Sequence, residues 1–465
     1  MDGAPSLSVG RPDRHGELRE ILRLSLPLGA AYLTQMLMAA TDTIMMGRLS
    51  AGALAAGGLG SNVAFMMIIV AQGLAASIQP IVAQARGAGD RSGFGRTLAA
   101  GLIAMAVSAV PIILVLVHVD RLLLAAGEPR EIATMTLAYE LAFVWGVPAG
   151  LWQMALRNYL SALERPHIIM VVVMLACGIN FLLNWVLIFG HLGLPALGIA
   201  GSGYATATTW NLMALAFTFY IWRAGLVPAG FFGMALKEIG RGLAGLLRLG
   251  WPVSAIYLVE VGLFSVSSLL MGRFGPVALA AHQICLGIAS FTFMVPLSIG
   301  QAATVRIGFH IGAGQIVRAR RTGFTALALG IVFMSLMSGV ILLFGRSIFR
   351  LYLDPADSEF DAVLDVGTQL LAIAALFQVF DGAQVVAACA LRGLKDMRAS
   401  LIAASIGYWG LGLPIGVGLA FGLGMGPPGL WWGFVAGLVV VSILLSLRFH
   451  RRTAAIIAAA GVAPA

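Results

Sequence analysis

The sequence predicts an all-α integral membrane protein with twelve transmembrane helices in two pseudo-symmetric six-helix lobes. Two observations predict this class: an internal repeat that spans both halves of the chain, and a composition that is too apolar for a soluble domain. A third observation, the distribution of basic residues, predicts how the helices are oriented in the membrane.

The internal repeat aligns residues 22–90 with residues 247–315 without a gap, at a constant offset of 225 residues. The Gly-Ala-Gly turn that begins at Gly87 falls on the turn that begins at Gly312. A chance match would drift in register, so we interpret the chain as a duplicated unit. Two hydrophobic halves related in this way are typical of secondary transporters, in which one half moves against the other around a central site.

The composition places both halves in a membrane. Hydrophobic residues make up 60% of the chain, charged residues make up 11%, and the mean hydropathy is +0.94, whereas about a quarter of a soluble domain is charged. A spanning helix needs ~20 apolar residues. The runs of this kind are residues 24–46, 53–84, 96–118, 132–159, 168–189, 196–222, 247–271, 277–306, 322–344, 362–391, 401–421 and 429–447. Pro148 and Pro296 are expected kink sites within them.

These spans divide the chain into five parts. They are a basic N-terminal arm (1–23), an N-lobe (24–223), an inter-lobe linker (224–246), a C-lobe (247–447) and a C-terminal tail (448–465). The linker is expected either as an amphipathic helix on the inner leaflet or as a simple loop.

Charge predicts the orientation. Of the 29 Lys and Arg residues, 23 fall on the side of the N-terminal arm and six on the other side. The positive-inside rule therefore places both termini in the cytoplasm. Because the net charge of +9 reports this topology, we do not expect nucleic acid as a partner.

Four acidic residues lie inside predicted spans: Asp42, Glu140, Glu260 and Asp381. A carboxylate in the hydrocarbon zone costs at least ~2.5 kcal/mol, so each is a functional candidate. All basic residues map to span ends or loops, so no basic partner is expected at mid-span. A buried carboxylate without such a partner takes up a proton or recruits a cation from solvent, and both outcomes describe a coupling site.

The depth of each acid follows from the helical rise of 1.5 Å per residue. Glu260 and Asp381 lie near the middle of spans 7 and 10, and Asp42 lies in the outer half of span 1. Glu140 is only eight residues from the outer start of span 4, so we expect it to be a solvated or vestibule residue.

Neutral oxygen donors are expected at the depth of Asp42. Asn180 and Asn184 share one face of span 5 because they are four residues apart, and Thr206 lies in the outer half of span 6. These groups suit Na⁺ or proton-linked hydrogen bonding, although the Asn pair is also typical of contacts between membrane helices.

The two halves differ chemically at one equivalent position. Gln35 lies seven residues before Asp42 and is the repeat partner of Glu260. One helical position therefore carries an amide in one half and an acid in the other. Aromatic residues near the second-half acids, Tyr257 among them, suit lipophilic cations.

The sequence motifs of common hydrolases and nucleotide-binding proteins are missing. The sequence contains no HExxH, GxSxG or P-loop string, so metalloprotease, hydrolase and ATP-driven transport lose support. An intramembrane enzyme would need a nucleophile–base or metal constellation, and none is visible. We therefore predict a protein that is not an enzyme, has no cofactor and uses a gradient of Na⁺ or H⁺.

From residue 22 to about residue 447 the sequence resembles the multidrug and toxic compound extrusion (MATE) family, in its bacterial NorM-like branch. The motifs that carry the resemblance are LSLPLGAAYLTQMLMAATDTIMMGRL, GAGD, IGAGQ, INFLLNWVLIFG, LPALGIAGSGYATA, YLVE, AAHQ and FDGAQ…ALRGLKD. The resemblance implies two six-helix lobes around a central cavity that opens alternately to each side. It also implies a bacterial inner-membrane protein, expected as a monomer, that exports amphiphilic cationic drugs in exchange for Na⁺ or H⁺.

The resemblance also assigns residues to sites. An N-lobe cation site matches Asp42, Asn180, Asn184 and Thr206, with Gln35 and Pro27 on the same helix and Pro27 as the expected bend of span 1. A C-lobe cation and drug site matches Glu260 and Asp381, with Tyr257 and Gln283 beside them. The expected Na⁺ ligands are Asp42, Asn180, Asn184, Glu260 and Asp381.

One residue departs from the pattern of the family. Phe377 stands four residues before Asp381, where that branch often has Tyr, so a role for this hydroxyl is in doubt. A lipid-linked precursor flippase of the wider superfamily is the alternative function. It would share the fold but would favour a basic, anion-binding cavity, whereas the predicted interior is acidic.

Overall fold

The computed structural model of the chain describes residues 14–228, 230–353, 355 and 358–460, and the regular secondary structure of these residues is entirely helical. Eleven helices or helix pairs are long and apolar enough to cross a membrane. They match the predicted spans except the sixth. That span forms a 25-residue helix whose hydroxyl and amide side chains lower its hydropathy.

In the part of the first half that the structure describes, there are nine α-helices. They are α1 (Arg14–Leu49), α2 (Ala51–Ala76), α3 (Ile78–Gly87), α4 (Arg91–Leu116), α5 (Val119–Ala125), α6 (Arg130–Phe143), α7 (Val147–Ala162), α8 (Pro166–Phe189) and α9 (Ile199–Arg223). A short 3₁₀ turn, Val144–Gly146, separates α6 from α7. The turn lies just before Pro148, whose missing N–H removes a helical hydrogen bond.

Within the described residues, the second half contributes seven α-helices. They are α10 (Leu236–Gly272), α11 (Pro276–Gly312), α12 (Ile316–Arg350), α13 (Phe360–Gly393), α14 (Met397–Ala404), α15 (Leu413–Val417) and α16 (Pro427–Ala459). The π-helical segment Ser405–Gly412 joins α14 to α15, and a second π-helical segment, Gly418–Gly422, extends the same span beyond α15. Helix α11 continues without a break through Pro296, and α1 through Pro27.

The second part of the linker is helical. Residues from Leu236 onward are the first turns of α10, which continues into span 7 as one helix of 37 residues. Leu246, at the end of the linker, is buried in the core of the first half. Likewise, α1 already begins at Arg14 within the predicted arm, and α16 extends to Ala459 within the predicted tail.

Each half has its own hydrophobic core, and the two halves exchange one segment. Ile21 and Leu24, at the start of α1, are buried in the core of the second half. Leu246, the repeat partner of Ile21, is buried in the core of the first half. The starts of the two equivalent helices therefore cross over to the opposite lobe.

The duplicated turns form the closest reciprocal contact between the lobes. A Cβ atom added to Gly87 would lie 2.0 Å from the carbonyl oxygen of Phe309, and one added to Gly312 would lie 2.0 Å from that of Gln84. Because Gln84 and Phe309 are themselves repeat partners, this contact has the two-fold form of an isologous interface. Only glycine permits so close an approach of two backbones.

Candidate functional site

The N-lobe residues identified from the sequence lie together. Asn184 Nδ2 donates to Asp42 Oδ1 at 2.5 Å and to Asn180 Oδ1 at 3.1 Å. Thr206 Oγ1 lies 3.5 Å from Asp42 Oδ2. Helices α1, α8 and α9 thus bring one carboxylate, two amides and a hydroxyl into one cluster, which we call the Asp42 cluster (Asp42, Asn180, Asn184 and Thr206).

The Asp42 cluster contains free oxygen ligands. Asn180 and Asn184 are fully buried, and Asn184 Oδ1 has no hydrogen-bond partner in the described part of the chain. A buried acceptor without a donor is costly. An oxygen without a donor is one to which a cation can bind.

Gln35 belongs to a different contact. Arg157 Nη1, from α7, donates to Gln35 Oε1 at 2.8 Å, and the same guanidinium lies 5.5 Å from the ring centre of Tyr32. Gln35 therefore binds a cationic side chain of its own lobe and makes no hydrogen bond to Asp42 in the described structure. Arg157, near the inner end of span 4, thus reaches the side of α1 that carries Tyr32 and Gln35.

In the C-lobe, Glu260 accepts hydrogen bonds through Oε1. Gln384 Nε2 from α13 donates at 3.1 Å, and Tyr408 from the π-helical segment lies within 3.5 Å through its hydroxyl. The next residue, Trp409, donates to the carbonyl oxygen of Val259 at 3.1 Å. The π-helical segment thus directs two successive side chains, Tyr408 and Trp409, towards α10. Short π-helical segments often occur at functional sites.

Asp381 forms the second acid of this site. It interacts electrostatically with Glu260 and forms no side-chain hydrogen bond within the described residues. The structure therefore brings the two predicted C-lobe acids together and leaves one of them free to bind a cation.

Arg392 is a basic residue that the sequence interpretation placed outside the membrane interior. The structure buries it to 5% exposure near the end of α13. Its guanidinium lies 5.9 Å from the ring centre of Tyr257 and interacts electrostatically with Glu260. Glu260 therefore has a basic residue in its surroundings, because the arginine side chain extends inward from the end of its helix. When both acids are ionised, their charge exceeds that of this one arginine.

Gln283, Tyr257 and Phe377 occupy separate surroundings. Gln283 is exposed on α11 and makes no side-chain hydrogen bond within the described residues, whereas Tyr257 contacts Arg392. Phe377 is buried beside Trp431, at 5.6 Å between ring centres. Tyr408, which sequence reasoning missed, supplies a hydroxyl to Glu260 from a different helix. The residues around Tyr408 show no helical periodicity from which its contact with Glu260 could be predicted.

Glu140 is not a solvated residue. Its side chain is fully buried, and neither carboxylate oxygen has a hydrogen-bond partner in the described part of the chain. Helix α6 turns this residue inward against α2, where Gly60 leaves space for the carboxyl group. The prediction failed because distance from the span end reports depth and says nothing about which face of a helix is packed.

The lobes are joined by ion pairs at the face where α1 begins and α3 and α11 end. We call these residues the N-terminal-face network: Glu17, Arg86, Glu164, Arg306 and His310. Arg306 lies 3.3 Å from Glu17 and 3.6 Å from Glu164, and Arg86 lies 3.3 Å from Glu164. His310 Nε2 lies 3.3 Å from Glu17. The network thus connects helices of both halves on one face of the molecule.

The chain is similar in sequence to known membrane proteins. A family model described as MatE matches residues 27–186 and 252–417. The chain is 42% identical over 438 residues to the probable multidrug resistance protein NorM of Burkholderia pseudomallei, covering 93% of this chain and 92% of that one. It is 38% identical over 445 residues to the probable multidrug resistance protein NorM of Pseudomonas aeruginosa, covering 94% and 90%.

Solved structures share the fold at lower identity. The crystal structure of the eukaryotic MATE transporter AtDTX14 matches with a TM-score of 0.84 at 20% identity, covering 95% of this chain and 98% of that one. The Vibrio cholerae MATE transporter VcmN in its bent form matches with a TM-score of 0.84 at 18% identity, covering 96% and 98%. These matches confirm the predicted fold class.

The family model covers most of both halves, and the relatives align along nearly the whole chain. The resemblance carried by the motifs is thereby confirmed, and the protein is a membrane transporter and not an enzyme. The chain belongs to the MatE family.

Proposed function

We propose that this protein is an antiporter that exports amphiphilic, mostly cationic drugs from bacterial cells in exchange for Na⁺, H⁺ or both. The observation that carries the proposal is the pair Glu260 and Asp381, two interacting acids inside the C-lobe with a single arginine beside them. A negatively charged site within a membrane attracts cations, and intramembrane acids are typical of ion and substrate pathways. The names of the relatives support drugs as the exported substrates.

Na⁺ is the preferred coupling ion. The Asp42 cluster offers a carboxylate, a hydroxyl and amide oxygens, one of which has no donor within the described residues. Hard oxygen ligands of this kind suit Na⁺. Protonation of the same carboxylates gives H⁺ a part in the same cycle.

The contacts between the lobes suggest which conformation this is. Within the described residues, the inter-lobe ion pairs lie on the face that the charge pattern assigns to the cytoplasm. In our proposal both termini are cytoplasmic, this face is closed, and the sites are reached from outside. Opening of the N-terminal-face network would expose them to the cell interior in alternating access, in a protein that acts as a monomer.

The flippase alternative gains one argument from the interior arginines. Arg157 is engaged by Gln35 and Tyr32, whereas two buried nitrogens of Arg392, Nε and Nη1, have no hydrogen-bond partner in the described part of the chain. Glu260 and Asp381 lie near this arginine and outnumber it. We therefore prefer drug efflux to transport of an anionic lipid.

The test is drug exchange in vesicles that contain the purified protein. A Na⁺ gradient and a pH gradient are imposed separately, and efflux of a fluorescent lipophilic cation is followed. We expect the Na⁺ gradient at fixed pH to accelerate efflux, and Glu260→Gln and Asp381→Asn to abolish it. Glu238→Gln and Asp365→Asn are matched controls, because they remove exposed acids from the same two helices. Unchanged efflux in both site variants would refute the assignment, and efflux driven only by the pH gradient would refute the preference for Na⁺.

A further inference from the structure

Glu140 has no structural partner that explains why an acid stands at this position. Its side chain has 0% exposure, and both carboxylate oxygens lack a hydrogen-bond partner within the described residues. A carboxylate buried in this way would pay a large desolvation penalty, so the group is held in its neutral, protonated form. An apolar side chain of similar size would be more stable here.

The polar groups around Glu140 are bonded elsewhere. Thr136 Oγ1, one turn away on α6, donates to the carbonyl oxygen of Ala56 at 3.1 Å. The hydroxyl of Tyr139 lies 3.4 Å from Ser61 Oγ. A Cβ atom at Gly60 would lie 2.9 Å from Glu140 Oε1, so the carboxyl group fills the space that this glycine leaves.

The charged groups of the packed helices do not neutralise it. Helix α2 has no ionisable side chain, α9 contributes Tyr204 on its neighbouring turns, and α5 contributes Asp120 and Arg121.

Tyr139 connects this position to the ion cluster of the same lobe. Its phenol interacts electrostatically both with Glu140 and with Asp42. Ser61, which pairs with this phenol, is exposed on α2. The Tyr139–Ser61 pair thus connects the turn of α6 that carries Glu140 to an exposed position on α2.

We propose that Glu140 is a second proton-exchanging site of the N-lobe, separate from the Asp42 cluster and adjacent to it through Tyr139. The carboxylic acid gives its proton to water and is left as a carboxylate, and the reverse step restores it. The use of this proton in transport rests on the proposed antiport. The binding of a proton by Glu140 does not depend on the antiport. Proton binding and its use in transport can therefore be tested separately.

Infrared spectroscopy of the purified protein in lipid tests proton binding directly. The difference between wild type and Glu140→Gln should contain the carbonyl stretch of one protonated acid near neutral pH. That band should disappear reversibly as the pH is raised while the protein remains folded. Glu131→Gln is the matched control, because this acid is exposed on the same helix, and its difference spectrum should contain carboxylate bands instead.

If Glu140→Gln does not fold, Glu140→Asp replaces it, and the protonated-acid band should shift in frequency. Absence of a protonated-acid band at neutral pH would overturn the proposal. A band that persists up to the pH of unfolding would also overturn it, because the acid would then never exchange its proton. In vesicles, the rate of drug exchange by Glu140→Gln should depend less steeply on pH than the rate of wild type. One exchanging proton contributes a change in rate of at most about tenfold per pH unit. An unaltered pH profile in vesicles that transport normally would equally contradict a role in exchange.

Discussion

At the scale of single residues, the four intramembrane acids differ in the side-chain hydrogen bonds that they accept from their neighbours. Asp42 accepts from Asn184, and Glu260 accepts from Gln384. Asp381 and Glu140 accept no side-chain hydrogen bond within the described residues. Hydrogen bonds favour a charged carboxylate, whereas dry burial favours a protonated one. The acids with donors are therefore suited to hold a metal cation, and Glu140, which is fully buried without a donor, is suited to take up a proton. Asp381 is only partly buried and stays free to bind a cation.

Tyr408 gives the most specific prediction at this scale. Its hydroxyl lies 3.5 Å from Glu260 Oε1, and a hydrogen bond to a charged group contributes about 1.5–3 kcal/mol. Because the contact is long, we expect the lower end of that range. Tyr408→Phe should raise the Na⁺ concentration for half-maximal drug exchange about tenfold, measured in the same vesicles. Phe421→Leu, in the other π-helical segment of the same span, is the control, and equal effects of both variants would argue against a role for this hydroxyl.

Sequence reasoning identified the acids but not all of their partners. Asp42, Asn180, Asn184 and Thr206 could be grouped because helical spacing and depth are readable from the chain. The inward contacts of Arg392 and Arg157 were not predicted, because a long side chain at a helix end can extend inward and sequence position gives only the backbone. The ion-binding roles assigned to these residues remain predictions.

At the scale of elements, the duplicated turn after α3 also starts the next helix. Asp90 is the N-cap of α4, and its carboxylate accepts from the Ser92 hydroxyl at 2.6 Å, from the backbone N–H of Gly93 at 3.0 Å and from Arg96 at 3.1 Å. These hydrogen bonds, with that from Ser92 foremost, hold the pKa of Asp90 below its usual value. Asp90 lies outside the membrane-spanning segments.

We predict that Asp90→Ala destabilises the protein by about 1 kcal/mol near neutral pH, as loss of an N-cap usually does. Because the pKa is lower in the folded state, the contribution of the carboxylate is present above the ordinary pKa of Asp and is lost as the pH falls through the folded-state value. Thermal unfolding at several pH values measures the difference between the variant and wild type. Asp90→Asn, which can still cap, should show a smaller loss. An equal loss at all pH values would contradict a charged cap.

Helix boundaries were predictable where apolar runs end and unpredictable where winding changes. The linker was expected apart from span 7, but charged residues on its exposed side do not interrupt helical geometry, so α10 runs through them. The π-helical turns of Ser405–Gly412 could not be read from the sequence either. Glycine-rich apolar segments are compatible with several helical windings, and packing against α16 selects among them.

At the scale of the whole molecule, the duplication appears as reciprocal contacts. Gly87 meets Phe309, and Gly312 meets Gln84, at equivalent positions of the two lobes. The sequence repeat therefore predicted a symmetry that the lobes display in three dimensions. It could not predict the N-terminal-face network, whose members Glu17, Glu164 and Arg306 do not repeat between the halves.

The close approach of the lobes predicts the effect of filling these glycines. In Gly87→Ala or Gly312→Ala, the added methyl group would overlap a backbone carbonyl group that cannot move as a side chain does. Overpacking of this kind costs about 1–3 kcal/mol, so we expect the closed N-terminal face to lose population about 5- to 100-fold. Labelling of single cysteines introduced beside the turns should become faster by that factor. Gly58→Ala is the control, since nothing lies within 4 Å of its added carbon, and similar labelling in all three variants would contradict the prediction.

The central claim is that a cation at the buried acids sets the relative position of the two lobes. The most direct measurement is the distance between spin labels at the ends of α3 and α11, recorded with and without Na⁺ at fixed pH. We predict that Na⁺ shifts the distribution between a short, closed distance and a longer one in wild type. In Asp42→Asn combined with Glu260→Gln, Na⁺ should leave the distribution unchanged. A distribution that ignores Na⁺ and pH in wild type, or that responds equally in this double variant, would contradict the account.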